Sequence, residues 1–421
     1  MESFNTWSPI VPFDIITLII DIVGENKDID LLKDLALVSH SFLQICNKHL
    51  FATIKLHDAA PGRQRASSKK RFVKLLESRP DVVKYIRNLT YAASGNSRLG
   101  KVKEDQSLSA ILPDFLKTIP HLKCLAISSS KLYWNRLDSS LASAFLYLIH
   151  LPTINHISLS FITNFPLSSL IPCVNLRQLD IFHLKPENSF PEIIQSEMPR
   201  IRQLYTSGST ELTNMMLRAK RRDERPAFDF TDLRQLSMSF TQQDNDNARH
   251  FLQNAKLLDK LHLIVDQELA LVGLHDILSP SARTLKTLEL TIHLCHAGPP
   301  FAALCKELEE MAGHNVLEVL AFRVNIDETV ESIGSRIETA DFIGSRIEIV
   351  DKVLVKPGWS ALKQVSVDIS ILCCLLPRET TAEWIKTLQC LPDKYLCYLS
   401  KLESVTLNWS AYIMECGECI M

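Results

Sequence analysis

The sequence predicts an α/β protein in two parts: a small three-helix unit near the N-terminus and a long array of strand–turn–helix units behind it. Three observations carry this. Residues 13–50 hold three apolar-periodic runs separated by polar breaks. A short motif, apolar-x-x-apolar-x-apolar, recurs eleven times between residues 86 and 407. Helix-period segments stand between several of its copies.

Composition sets the frame. The 421 residues are 46% hydrophobic and 22% charged, as expected of a folded chain rather than a disordered one. A formal net charge of -2 supplies no bulk field toward nucleic acid or anionic lipid, so neither is expected as a partner. The most apolar early run, 10–23, carries Asp14 and Asp21 and is too short and too charged to span a bilayer; the run 369–376 is shorter still. No basic, apolar-cored leader precedes it, so a cytoplasmic and/or nuclear protein is expected. The eleven cysteines then read as free thiols, with Cys124, Cys173, Cys295 and Cys305 as small core residues inside apolar runs.

Residues 13–23, FDIITLIIDIV, predict the first helix. Pro12 fixes φ at its start and Asp14 lies in the first turn, where the helix dipole favours an anion. Only Asp14, Thr17 and Asp21 are polar, and they form one narrow stripe. A surface helix needs an apolar face of only about 100°, so this helix must bury a second face, inside the protein or against a partner. After the polar break 24–30, Asp28 or Asp30 is placed to cap a second helix, 31–38, carrying Leu31, Leu32, Leu35 and Val38. Ser39 can cap a third, with Phe42, Ile45, Cys46, His49 and Leu50 at helical spacing. Three helices in so few residues make a very small core.

A polar linker, 57–68, leads to a helix at 69–77 that Arg79-Pro80 ends. Then the motif begins: IRNLTY (86–91), LKCLAI (122–127), INHISL (154–159), LRQLDI (176–181), IRQLYT (201–206), LRQLSM (233–238), LDKLHL (258–263), LKTLEL (285–290), LEVLAF (317–322), LKQVSV (362–367) and LESVTL (402–407). Its alternating end is a strand signature, and 141–149, 246–257 and 301–312 read as intervening helices. Copies lie 22 to 45 residues apart, which is how an irregular leucine-rich-repeat-like α/β solenoid reads. A doubly wound α/β domain is the competing architecture. IGSRIE occurs verbatim at 333–338 and 343–348 and reads as a local duplication that lengthens a helix or loop.

Little in the chain carries chemistry. Cys416-Gly-Glu-Cys419 is a C-x-x-C with too few residues behind it for the helix that activates such a thiolate. Cys390 and Cys397 stand too far apart to complete a zinc knuckle, so no metal is expected. Arg63, Arg65, Lys69, Lys70, Arg71 and Lys74 form a basic cluster, best read as a solvated linker entering a helix. Lys220, Arg221, Arg222 and Arg225 are interleaved with Asp223 and Glu224, which weakens a nucleic-acid reading. His293 and His296 flank Cys295 without a carboxylate at helical spacing. No G-x-S-x-G, H-E-x-x-H or P-loop pattern occurs, so neither an enzyme nor a cofactor is expected.

The N-terminal unit, 7–56, resembles an F-box. The matching positions are Val11-Pro12, then Ile15, Ile16 and Ile19, then Leu31, Leu32 and Leu35, the junction Val38-Ser39 with Phe42, and the closing Leu50-Phe51. Val11 stands where the family usually has Leu, and Phe42 where it more commonly has Trp. The order of a box at 7–56, a linker and connecting helix at 57–80, and a solenoid at 81–421 is similar to that of the fungal leucine-rich-repeat F-box proteins. The resemblance implies a substrate-recognition adaptor of an SCF-type ubiquitin ligase. Val11, Pro12, Ile15, Ile16, Ile19, Leu31, Leu32, Val38, Phe42, Leu50 and Phe51 would bind a Skp-family adaptor, and through it a cullin–RING ligase. The solenoid would present a protein substrate whose identity and contact residues are unknown. The alternative is a leucine-rich-repeat scaffold whose helical N-terminus only caps the array.

Overall fold

Arg87 and Asn88 both donate their backbone N–H to the carbonyl of Ala52, at 2.9 and 2.8 Å. Lys123 and Cys124 do the same to Arg87, Arg234 and Gln235 to Arg202, and Lys363 and Gln364 to Glu318. This fork is the structural meaning of the motif: one carbonyl starts the next parallel strand, and the apolar residues that follow point inward. The computed structural model describes residues 11–57, 67–93, 106–187, 197–240, 245–265, 272–294, 302–328, 336–373 and 385–415.

In chain order the strands are β1 Thr53–His57, β2 Asn88–Ala93, β3 Cys124–Tyr133, β4 His156–Phe165, β5 Gln178–Phe182, β6 Lys185–Pro186, β7 Gln203–Ser207, β8 Gln235–Phe240, β9 Lys260–Val265, β10 Thr287–Leu294, β11 Val319–Glu328, β12 Gln364–Cys373 and β13 Thr406–Glu415. The helices are α1 Phe13–Glu25, α2 Ile29–Ala36, α3 His40–Leu50, α4 Ser68–Ser78, α5 Gln106–Lys117, α6 Ser139–Ile149, α7 Thr210–Arg218, α8 Asn245–Asn254, α9 Leu274–Leu278, α10 Ala302–Met311 and α11 Arg336–Leu354, with a short helix at Leu391–Tyr395.

The chain divides into two compact units, Met1–Leu176 with Leu184–Pro191, and Arg177–His183 with Glu192–Met421. In the first, β1 to β4 pair in parallel and in chain order, and β6 adds to β4. In the second, β5 and β7 to β13 do likewise. Among the described residues neither unit reverses its strand order, whereas a doubly wound sheet must reverse about a switch point. The fold class is α/β, with parallel strands joined by helical crossovers.

The predicted strands form at every copy of the motif. Leu122, Leu125 and Ile127 are fully buried, and so are Leu258, Leu261 and Leu263 five copies later. Helices supply the other side of the core: Phe145 and Leu148 from α6, Leu304 and Leu308 from α10, Val350 and Val353 from α11. The last copy departs from expectation. Val365 pairs with Leu407 rather than Val405, so the strand begins two residues beyond the LESVTL reading. A slip of two keeps side-chain parity, which is why the sequence tolerates both alignments; Trp409 now stands opposite Val367.

Other expectations are adjusted. The second helix runs Ile29–Ala36 rather than 31–38, leaving Val38 in the junction. Cys124 is not a core residue. It occupies the first position of β3, where its thiol lies 3.3 Å from His156 Nδ1. Cys173 is buried, and burial pushes its thiol pKa up to about 12. Within the basic cluster, Lys69 is buried and donates to Tyr91 Oη at 2.9 Å, so it is no part of a solvated patch. Lys220–Glu224 (2.9 Å) and Arg221–Asp223 (3.0 Å) pair within the second cluster. The second IGSRIE copy lies inside α11, where the duplication lengthens a helix. A Cβ at its Gly344 would sit 2.1 Å from the Tyr395 ring, so that glycine permits a close approach. Arg63, Arg65, Cys295, His296, Cys416, Cys419 and residues 333–335 lie outside the described residues.

Candidate functional site

The first three helices enclose a minimal core of Ile20, Leu32 and Cys46, with Ile16, Val23, Leu35, Phe42, Ile45 and Leu50 packed around it. Local chemistry sets the geometry. Asp28 caps α2 by accepting the Leu31 N–H at 3.1 Å, and Ser39 caps α3 by accepting the Phe42 N–H at 3.2 Å. The Ser39 cap ends one helix and turns the chain into the next. Across the α1–α3 contact, Asp21 Oδ1 accepts from both Lys48 Nζ and His49 Nε2 at 2.7 Å. Burial pulls the Asp21 carboxyl pKa upward, but the hydrogen bonds from Lys48 and His49 outweigh it and hold the group below its ordinary value. Gly24 makes this contact possible, because a Cβ there would lie 2.2 Å from His49 Nδ1.

The core uses one face of α1 and leaves the other in solvent. Val11, Phe13, Ile15, Leu18, Ile19 and Ile22 are all exposed, Ile15, Ile19 and Ile22 following one another at helical spacing. Leu31 is exposed on α2, and at the α2–α3 junction Leu37 is 85% and Val38 64% exposed. The excess apolar character of 13–23 is therefore not absorbed among the described residues of this unit. Apolar surface of this extent on so small a body makes this face the candidate site.

The residues named from sequence fall into three groups. Val11, Pro12, Ile15, Ile19, Leu31 and Val38 are exposed. Ile16, Phe42, Leu50 and Phe51 are half-buried, the first three against the core. Leu32 is 0% exposed at the centre of that core and cannot touch a partner; this corrects its placement on the adaptor surface. Periodicity shows that α2 is apolar on two sides but not which side turns inward. Leu18, Ile22 and Leu37 are exposed as well, yet none is among the adaptor-surface positions that the F-box resemblance implies. Their signal was the same over-apolar helix, together with the unpaired Leu37 before the Ser39 cap.

A second surface arises from the alternate residues of the strands in the second unit. There Tyr205 Oη donates to Gln235 Oε1 at 3.1 Å, and His262 bridges Ser237 Oγ and Thr291 Oγ1, both at 2.9 Å. Lys260 pairs with Glu289 at 2.7 Å. Burial lowers the His262 pKa, with Arg323 and Lys260 adding to the effect against Glu289. This face is polar and internally hydrogen-bonded. Among the described residues no group of His, Cys, Asp and Glu is arranged to hold a metal ion, and no helix is long and apolar enough to cross a membrane.

The described residues form a parallel α/β chain whose N-terminal helices carry an exposed apolar face. No protein-family model matches the chain, and no curated protein matches it as a relative.

Proposed function

We propose that the protein is a substrate-recognition adaptor of an SCF-type ubiquitin ligase, its three N-terminal helices acting as an F-box and its strand–helix array as an irregular leucine-rich-repeat-like solenoid. The observation that carries this is the unabsorbed apolar face of α1 with Leu37 and Val38, presented beside a core too small to need it. A Skp-family adaptor would cover that face and link the chain to a cullin–RING ligase. The array would hold a protein substrate near the ubiquitin thioester, raising the effective concentration of its lysines without chemistry of its own.

A second reading has one observation in its favour. β1 pairs in register with β2 directly after α3, so the helices lead straight into the first sheet, as a folding cap would. Co-expression with a Skp-family adaptor separates the two. Ile15→Lys with Ile19→Lys alters exposed positions only. The adaptor reading requires a stable complex with the native chain that this pair of substitutions abolishes while the melting temperature holds. If no complex forms with the native chain, the helices are a cap.

A further inference from the structure

Behind the sheet of the second unit lies a cavity of about 350 Å³, within the size range of small-ligand sites. It opens where α9 and α10 run into the strands that follow them. Leu278, Leu285, Met311 and Leu317 are buried and form its floor. Its lip is of a different character: Arg283 and His314 are exposed there, and His275 stands beside them.

The walls are held rigidly. Glu307 of α10 is buried and accepts the backbone N–H of Gly273 at 2.7 Å and of His275 at 2.8 Å, tying the start of α9 to the neighbouring helix. Asn315 donates to Met311 O at 2.8 Å and accepts the Leu317 N–H at 3.1 Å, so its amide is committed to shaping the rim. That bond also occupies one carbonyl at the end of α10. Asp276 Oδ1 lies 3.8 Å from His275 Nδ1. The guanidinium of Arg283 is the cationic feature of the lip, and Arg is the side chain suited to paired hydrogen bonds with a carboxylate.

We infer that this cavity binds a small amphipathic carboxylate, its alkyl or aryl body on the leucine floor and its carboxylate at Arg283. The site is independent of the adaptor surface, and its occupancy does not require the ubiquitin-ligase reading.

Decanoate, decanol and decyltrimethylammonium, each below its micelle concentration, test the inference on the full chain by calorimetry and thermal shift. Decanoate is expected to bind saturably and raise the melting temperature, decanol to bind more weakly, and the cation not to bind. Arg283→Ala, an exposed change, should weaken decanoate about tenfold or more and bring it level with decanol. Ala282→Trp, which fills the cavity, should abolish both, with circular dichroism reporting whether the fold is retained. Should Ala282→Trp fail to fold, the Arg283→Ala comparison decides. Absence of decanoate binding, equal binding of all three probes, or decanoate affinity unchanged in Arg283→Ala overturns the proposal.

Discussion

The carboxylate of Asp351, fully buried in α11, accepts the backbone N–H of Leu399 at 2.8 Å. Its other oxygen takes the N–H of Tyr398 at 3.0 Å. One acid thereby satisfies two amides at the start of the turn that precedes β13, as Glu307 does for the start of α9. Asp351→Ala leaves both amides without their acceptor in a dry interior, at about 1–3 kcal/mol each. Urea denaturation should show a loss of about 2–6 kcal/mol on that basis, and Asp351→Asn, which keeps one acceptor, should lose less. A loss within error for both variants would mean that water replaces the carboxylate.

Leu32 and Ile19 were given the same role by sequence and have opposite places in the structure. Leu32→Ala removes the centre of a three-residue core and should cost about 2–5 kcal/mol. Ile19→Ala trims an exposed side chain and should change stability by no more than about 0.5 kcal/mol. Thermal denaturation of the two single variants checks both values.

What could be read in advance divides along this line. The strand motif was legible because its three apolar positions recur with fixed internal spacing and all point inward, as at Leu122, Leu125 and Ile127. The Ser39 cap was legible, and the cap of α2 was narrowed to Asp28 or Asp30, because a cap acts over three residues; the structure selects Asp28. The inward face of α2 was not, since Leu31 and Leu32 are neighbours of equal hydrophobicity and only the packing of α1 and α3 decides between them. Glu307 and Asp351 were hidden for a different reason. An acid in a charged helix reads as a solvated residue, and the amides that bury it lie about thirty to fifty positions away. The start of β13 was misplaced because a two-residue slip preserves the alternation on which the reading depended.

Gly344 faces Tyr395, and a Cβ would meet the ring at 2.1 Å. Gly344→Ala forces the ring or the short helix Leu391–Tyr395 to move. Helix propensity alone favours alanine by roughly 0.8–1.0 kcal/mol, so a net destabilisation would show that the clash outweighs it. Tyr395→Ala should then restore tolerance, giving a non-additive pair in a double-mutant cycle. Additive behaviour would show that the contact carries no energy.

Acid should loosen the N-terminal helices through Asp21. Its folded pKa is depressed by Lys48 and His49 against the opposing pull of burial. A depressed carboxylate contributes stability that is fully present above its unfolded pKa, about 3.9. That contribution is lost as pH falls from there through the lower folded value, because the unfolded chain takes up the proton first. Asp21→Asn removes the linkage, so the stability difference between the native chain and the variant should be constant from neutral pH to about pH 5 and shrink below about pH 4. Gly24→Ala provides the structural control. By pushing His49 away from Asp21 it should weaken the same acid-sensitive component while leaving the carboxylate in place. Melting temperatures of the three proteins across pH 3–7 test the assignment. It fails if the gap between native and Asp21→Asn proteins widens on acidification.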